Sequence, residues 1–348
     1  MAALPEPLHT TLRAIERAVE AEAADGLRAH LGASVIGRPC ERAGWYTFRW
    51  ATRATHSGRI LRLFARGQRE EQTLVELLRK AGVEVHDQDE TGQQFRVSAC
   101  GGHFGGSLDG CARGLVEAPD KWHVLEFKTH NDKSFAKLVK ECVEKAKPEH
   151  YAQMQVYMAL TGMDRAYYLA VNKNDDSLHG ERVRFSQTAA DALLAKADRI
   201  IASDRPPARL SEDPAWYECK LCNHHATCHS GTVPPPSCRT CLHSTAERYG
   251  EAVWTCARHQ VEITTDEQRA GCPSHAYIPD LLAAWAETID AHGQSVEYRN
   301  KLNGATFLNG PDDHAYASVE IHAAADLAMV GARQVDELKQ AMGARLVG

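Results

Sequence analysis

Apolar residues at Leu8, Leu12, Ile15, Val19 and Ala23 recur near the helical period, and they predict an amphipathic helix over 6–31. A turn at Gly37 and Pro39 then leads into a short helix rich in aromatics, Trp45, Tyr46, Phe48 and Trp50, within 34–54. A second helix is predicted over 58–80, stopped by Ala81-Gly82. Strand and turn are expected over 83–97, a hairpin with a glycine-rich approach over 103–115, and a strand over 122–129. Helices follow over 132–147 and 150–160, with Pro148 between them, then strands over 166–172 and 181–185 and a helix over 187–203. Arg205-Pro206-Pro207 marks a boundary. Beyond Pro279 the pattern predicts a helix over 280–291, strands over 305–308 and 315–321, and a last helix over 325–346. The alternation of strands and helices between about 60 and 200 points to an α/β or α+β fold with a central mixed sheet flanked by helices.

Composition narrows the class. Over 348 residues the chain is 43% hydrophobic and 25% charged, the balance of a globular chain and not of a disordered one. No apolar run approaches the ~18–20 residues of a membrane span. Residues 1–6 carry neither a basic region nor an apolar core of a secretory signal, so a reducing cytoplasm is the expected location. The net charge of −6 excludes a polycationic nucleic-acid coat. Its distribution is uneven: eight arginines (38, 42, 49, 53, 59, 62, 66 and 69) accompany a single acid, Glu41, and point to phosphate contact. A second cationic cluster, Lys128, Lys133, Lys137, Lys140, Lys145 and Lys147, is diluted by Glu141, Glu144 and Glu149.

The chemistry concentrates in Gly106-Ser107-Leu108-Asp109 and Leu125-Glu126-Phe127-Lys128. Residues two apart on a strand share a face, so Glu126 and Lys128 point one way while Leu125, Phe127 and Thr129 point into the core. Asp109 can lie beside Glu126 across a hairpin. Two carboxylates and a lysine on one sheet edge form the oxygen-rich setting that Mg²⁺ or Mn²⁺ prefers, and Lys128 is placed to orient or deprotonate an attacking water. Glu71, on the helix before the sheet, is a candidate third metal ligand. Gln153 and Tyr157 stand four apart on one helix face, within reach of a nucleic-acid backbone near the metal.

The chain has 11 cysteines, and seven of them fall between Cys219 and Cys272. In a cytosolic protein such crowding indicates metal ligands before disulfides. Cys219, Cys222 and Cys228 follow a C-x₂-C-x₅-C spacing, and Cys40 is the candidate fourth ligand for a tetrahedral zinc or a cubane cluster; His224, His225 or His229 are alternatives. A second set, Cys238, Cys241, Cys256 and Cys272, follows a proline-rich linker over 232–236 and reads as a separate small module holding Zn²⁺ or a second iron–sulfur cluster, with His243, His259 or His275 able to replace a thiol. Cys100, Cys111 and Cys142 read as core or partly buried thiols, and Trp45 and Trp50 as core.

Asp109, Glu126-x-Lys128 and Gln153-x₃-Tyr157, with Cys40 upstream and C-x₂-C-x₅-C downstream, resemble the PD-(D/E)xK nuclease superfamily in its RecB-like iron–sulfur branch, which includes AddB-type and CRISPR-associated RecB-like exonucleases. The resemblance spans about 34–230, and the stretch Ile36-Gly37-Arg38-Pro39-Cys40-Glu41-Arg42 is similar to phage-encoded exonucleases. It implies a restriction-endonuclease-like core over 34–232, preceded by a helical segment over 1–33 and followed by the second cysteine module over 233–278 and an accessory region over 279–348. It implies a metal-dependent DNA exonuclease of recombination, repair or phage replication, with DNA and a recombination or replication protein as partners. Asp109, Glu126 and the Phe127 carbonyl would hold the metal, Lys128 would assist the nucleophile, and Gln153 and Tyr157 would touch DNA or steady the site. Cys40, Cys219, Cys222 and Cys228 would bind a structural [4Fe–4S] cluster. Many relatives carry a histidine where Glu71 stands here; His86 and His103 are the nearby alternatives. Arg38, Arg42, Arg66 and Arg69 are the expected DNA contacts. A catalytically silent DNA- or partner-binding protein of the same fold is the competing expectation.

Overall fold

The computed structural model describes residues 9–23, 26–292 and 294–342. The chain opens with α1 (Thr10–Ala21), strand β1 (Leu31–Gly32), the short helices α2 (Ala33–Ile36) and α3 (Glu41–Phe48), and the long α4 (Gly58–Lys80). Strands β2 (Glu84–His86), β3 (Arg96–Ala99), β4 (Phe104–Ser107), β5 (Gly110–Arg113) and β6 (His123–His130) follow, then α5 (Asp132–Ala146), α6 (Pro148–Thr161), β7 (Arg165–Asn172), β8 (Leu178–Arg184) and α7 (Gln187–Ala202). The central sheet has the order β2-β5-β6-β7-β8. Only β6 and β7 pair in parallel, as their α5–α6 crossover requires; the other neighbours are antiparallel. The sheet is thus mixed and flanked by helices, as the alternation of elements predicts.

The two faces of the sheet are dry for different reasons. Leu125, Phe127 and Leu169 pack against Leu74, Val75 and Leu78 of α4. Val124, Ala166, Tyr168 and Ala170 belong to the main core with α6 and α7. α6 buries every residue from Ala152 to Met158, the behaviour of a helix enclosed on all sides. Pro148 opens it at a position where a missing N–H costs nothing.

Several expectations need correction. Residues 103–115 are not one hairpin: β4 pairs with β3 and β1 in a separate sheet, whereas β5 pairs with β2 and β6. The chain steps between sheets at buried Leu108, whose N–H is taken by the Phe95 carbonyl at 2.9 Å. The predicted 6–31 helix is confined to α1, because Leu31 bonds the His103 carbonyl in extended form; residues 6–8 and 24–25 of that prediction lie outside the described residues. α5 is interrupted at Cys142 (φ 62°, ψ 165°), where the Val143 N–H turns to Glu181 Oε2 at 2.8 Å, and Cys142 is exposed, not half-buried.

The cysteine-rich stretch contributes α8 (Tyr217–Lys220), α9 (His225–His229), a small sheet of β9 (Ser244–Ala246), β10 (Trp254–Cys256) and β11 (Val261–Glu262), and α10 (Thr265–Ala270). After it, 280–291 is not helical. A 3₁₀ turn at Pro279–Leu281 leads into β12 (Ala286–His292), which pairs with β13 (Ser295–Asn300) and through it with β14 (Thr306–Asn309). Sheet pairing there overrides local propensity. The predicted strand over 315–321 is replaced by α11 (Ser318–Ala323), and the last helix begins only at α12 (Arg333–Met342); 343–346 lie outside the described residues.

One buried cluster runs through all these parts. Trp45 and Phe48 from α3, Trp254 from β10, Tyr277, Trp285 and Tyr316 belong to it. Two buried arginines hold the join. Arg49 donates to the Ser244 carbonyl at 3.2 Å and lies 5.0 Å over Trp254. Arg239 donates to Gln268 Oε1 at 2.8 Å and to the Phe48 and Ala29 carbonyls at 2.9 Å each, and it lies 3.9 Å over Trp50 and 4.6 Å over Trp254. Burial lowers both guanidinium pKa values, to about 10 for Arg49 and about 9 for Arg239. Carbonyls and aromatic faces do the work of counterions here. Arg49 therefore leaves the set of candidate phosphate contacts.

Candidate active site and thiol clusters

The site grows from a frayed edge of the central sheet. Gly110 opposite Leu125 is the last registered pair between β5 and β6, so beyond it the β6 edge has no strand beside it. Asp109 fills the gap with its side chain: Oδ2 accepts the Phe127 N–H at 2.7 Å. The next carbonyl, that of Phe127, accepts from Lys128 Nζ at 3.1 Å. Strand alternation turns Glu126 onto the α6 face, beside Tyr168, its registered partner on β7.

Glu126 is wholly buried. It forms a close ion pair with Lys128 Nζ, and otherwise neither of its oxygens has a hydrogen-bond partner among the described residues. Burial pushes its pKa up to about 8, with Asp109 and Glu71 adding repulsion against the pull of Lys128. Glu71, reaching in from α4, rises to about 7 through burial and then through Asp109. Burial opposes the charge on Lys128, but Glu126 and Asp109 outweigh it and hold the ammonium protonated above its ordinary value. Asp109, Glu126, Lys128 and Glu71 therefore form one electrostatic unit.

Gln153 and Tyr157 lie buried over this unit, and Gln153 Nε2 donates to the Tyr157 hydroxyl at 3.3 Å. Gly106 is required here, because a Cβ at that position would stand 2.4 Å from the Tyr157 hydroxyl. Gly106→Ala is accordingly expected to push Tyr157 off Gln153 and to cost about 1–3 kcal/mol as an overpacked contact, read as a lower Tm.

The residue spacing left three members unread. His150 Nδ1 and His130 Nε2 both bond the Tyr168 hydroxyl at 2.9 Å, and His130 Nδ1 bonds Ser134 Oγ at 2.9 Å. Burial lowers His150 to about 3 and His130 to about 4, so both rings are neutral. They pin Tyr168 next to Glu126. The signal was present: His150 stands one helical turn before Gln153 on α6. His103, by contrast, is buried against the Glu247 and Val253 carbonyls, and His86 pairs with Glu84 at the surface; neither joins the carboxylates.

Among the arginines, Arg66 and Arg69 are exposed on α4, Arg66 donating to the Lys173 carbonyl at 3.0 Å. Arg38 faces Glu149 at 3.7 Å. Arg42 is committed inside the fold, to the Tyr46 hydroxyl at 2.9 Å and the Pro207 carbonyl at 3.0 Å.

Cys40, Cys219, Cys222 and Cys228 line one cavity of about 440 Å³. Cys40 precedes α3, while Cys219 lies in α8, Cys228 in α9 and Cys222 between them, so the cavity joins the two ends of the sheet domain. Cys222 Sγ accepts the His224 N–H at 3.4 Å. His224 bonds Thr47 Oγ1 at 3.0 Å, which leaves it facing α3. Cys238, Cys241, Cys256 and Cys272 line a second, smaller cavity of about 270 Å³. Among the described residues no three His, Cys, Asp or Glu side chains are set as a ready metal cage.

No protein-family model and no curated protein matches this chain. Solved structures similar to it include an alkaline exonuclease (LHK-Exo) from Laribacter hongkongensis, at 17% identity over 53% of this chain and 91% of that one, with a TM-score of 0.37. The same exonuclease in complex with dAMP matches at 18% identity over 51% of this chain and 88% of that one, TM-score 0.35. The protein SSO0001 matches at 14% identity over 63% and 96%, TM-score 0.38. The functional reading rests on the residues of the site.

Proposed function

We propose that the chain is a divalent-metal-dependent deoxyribonuclease that hydrolyses phosphodiester bonds from DNA ends, working in the cytoplasm in recombination, repair or phage replication alongside a recombination or replication protein. Glu126 carries this reading. A fully buried carboxylate whose oxygens have no partner but Lys128 among the described residues is costly, and two more carboxylates stand beside it. A divalent cation supplies the missing partner, so the donor set fits the metal. Asp109, Glu126, the Phe127 carbonyl and Glu71 would hold Mg²⁺ or Mn²⁺, which when bound activates water and offsets charge gathering on a phosphate.

The protein's own groups do the rest. Lys128, kept protonated, donates to the attacking water or to a phosphate oxygen. Gln153 and Tyr157 position Lys128 and the substrate backbone, with the His150–Tyr168–His130 chain bracing Glu126 from behind. Arg66 and Arg69 are exposed to take phosphates on the approach, and Arg38 can exchange Glu149 for one. The C-x₂-C-x₅-C thiols with Cys40 would hold a structural [4Fe–4S] cluster in the larger cavity, tying α3 to α8 and α9. Visible absorbance, iron and labile sulfide should all vanish in Cys222→Ser.

Metal binding should depend on pH. Glu71 and Glu126 have folded pKa values above the ordinary 4.5, at about 7 and about 8. In metal-free protein their neutral forms favour the fold, so this contribution is complete below pH 4.5 and is lost as pH rises through 7 and 8. Metal needs both deprotonated. Apparent Mn²⁺ affinity by titration calorimetry should therefore climb from pH 6 to above 8, with proton release that fades at the alkaline end.

The deciding test is hydrolysis of end-labelled linear and closed circular DNA in Mg²⁺, Mn²⁺ and EDTA, with Lys128→Ala alongside. Metal-dependent loss of linear DNA, circles spared and the variant inactive, supports the reading. DNA binding without cleavage in either metal overturns it in favour of a silent binding protein.

A further inference from the structure

The second cysteine set lies apart from the carboxylates and plays no part in the reading above. Its four members come from different local structures: Cys238 and Cys241 from a 3₁₀ turn and its end, Cys256 from β10, and Cys272 from the loop after α10. All four line the cavity of about 270 Å³, and Cys238 lies close enough to the other three to feel their charge.

The other polar groups of this cavity narrow the ligand choice. His275 is fully engaged, Nε2 with Thr240 Oγ1 at 3.1 Å and Nδ1 with Ser318 Oγ at 2.7 Å, which removes it from the possible ligands. His259 Nε2 lies 3.7 Å from Cys272 Sγ, the place of a group that bonds a ligand sulfur from outside. Arg258 also lines the cavity, and its Nε and Nη1 are buried without a hydrogen-bond partner among the described residues. A negatively charged centre in the cavity that Arg258 and the four cysteines line together would give those guanidinium donors a partner. Four thiolates around one dication carry that charge, whereas Glu267 is the only carboxylate lining the cavity among the described residues.

We propose that Cys238, Cys241, Cys256 and Cys272 bind one zinc ion as a closed tetrathiolate site, with Arg258 balancing its charge and His259 bonded to Cys272. The site's role is structural. Arg239 lies between its first two ligands and sends its side chain into the core against Trp50, so the metal fixes the turn that places that guanidinium.

The test uses the full chain. Metal analysis of the purified protein should find zinc that survives Cys222→Ser and disappears in Cys256→Ser. Should Cys256→Ser not fold, the unaltered protein decides: a mercurial titrated against its thiols should release zinc, followed with a chromogenic chelator, in step with the thiols modified. Co²⁺ exchanged into the site should give the intense visible bands of a tetrahedral ion together with sulfur-to-cobalt charge transfer. Zinc should remain in His259→Ala. The proposal is overturned by protein that neither contains zinc nor shows tetrahedral cobalt, by iron and sulfide lost with Cys256→Ser, or by zinc lost with His259→Ala. None of these readouts depends on nuclease activity.

Discussion

Glu126→Gln is expected to lower metal-dependent DNA hydrolysis by about 10³-fold or more. The substitution keeps the volume of a side chain that is wholly buried between β6 and α6, so packing is preserved while the charge is lost. An amide would offer the cation one neutral oxygen, and it would leave Lys128 balanced by Asp109 and Glu71 alone. The same variant should tolerate alkaline conditions better when metal-free. In the parent, ionising Glu126 opposes the fold as pH rises through about 8; the amide has nothing to ionise. Thermal melts in EDTA from pH 5 to 9 should therefore fall less steeply for Glu126→Gln. Activity within tenfold of the parent would remove Glu126 from the metal site, and an unchanged pH profile of Tm would contradict the cost of ionising Glu126 in its buried place.

The largest stability effect is expected at Arg239. Arg239→Met keeps an apolar stem and removes a guanidinium that donates to two backbone carbonyls and Gln268 and lies over two indoles. The Phe48 and Ala29 carbonyls lose their partner in a dry interior. The cost should be about 3–5 kcal/mol, since bonds from a charged donor contribute about 1.5–3 kcal/mol each and do not add fully. In a chain of this size that is a fall in Tm on the order of 10 °C. Denaturant unfolding followed by tryptophan fluorescence reads it directly, because Trp50 and Trp254 are the rings that Arg239 covers. A loss under about 1 kcal/mol would mean that the neighbouring Arg49 holds the join by itself.

How much of this was legible in the chain depended on whether the signal was local. The 58–80 helix was readable to the residue, because its apolar stripe and its Ala81-Gly82 stop lie within it. Period-two alternation correctly put Leu125 and Phe127 into one core and Glu126 and Lys128 on the other side. The switch of sheets at Leu108 was not legible, since the partner that takes its N–H, Phe95, is chosen by tertiary packing. The 280–291 segment has helix-forming residues, but β13 claims it as a strand. Arg49 stood in a basic run that reads as phosphate-binding, and only the arrival of Trp254 from far along the chain turns it inward. His150 was within one turn of a recognised pair and was missed because a lone histidine carries no pattern.

The buried cluster that starts at Leu31 is completed only by Trp254, Tyr277, Trp285 and Tyr316. This has a consequence for biosynthesis. When the proline run at 234–236 has just been made, Phe48 is already in the chain, but Trp254, whose ring lies 5.3 Å from it, is not. Such long-range closure is slow and leaves sticky intermediates. Full-length product should consequently depend on holding chaperones during translation, and a chain terminated near residue 232 should accumulate as aggregate even though it contains every carboxylate of the site.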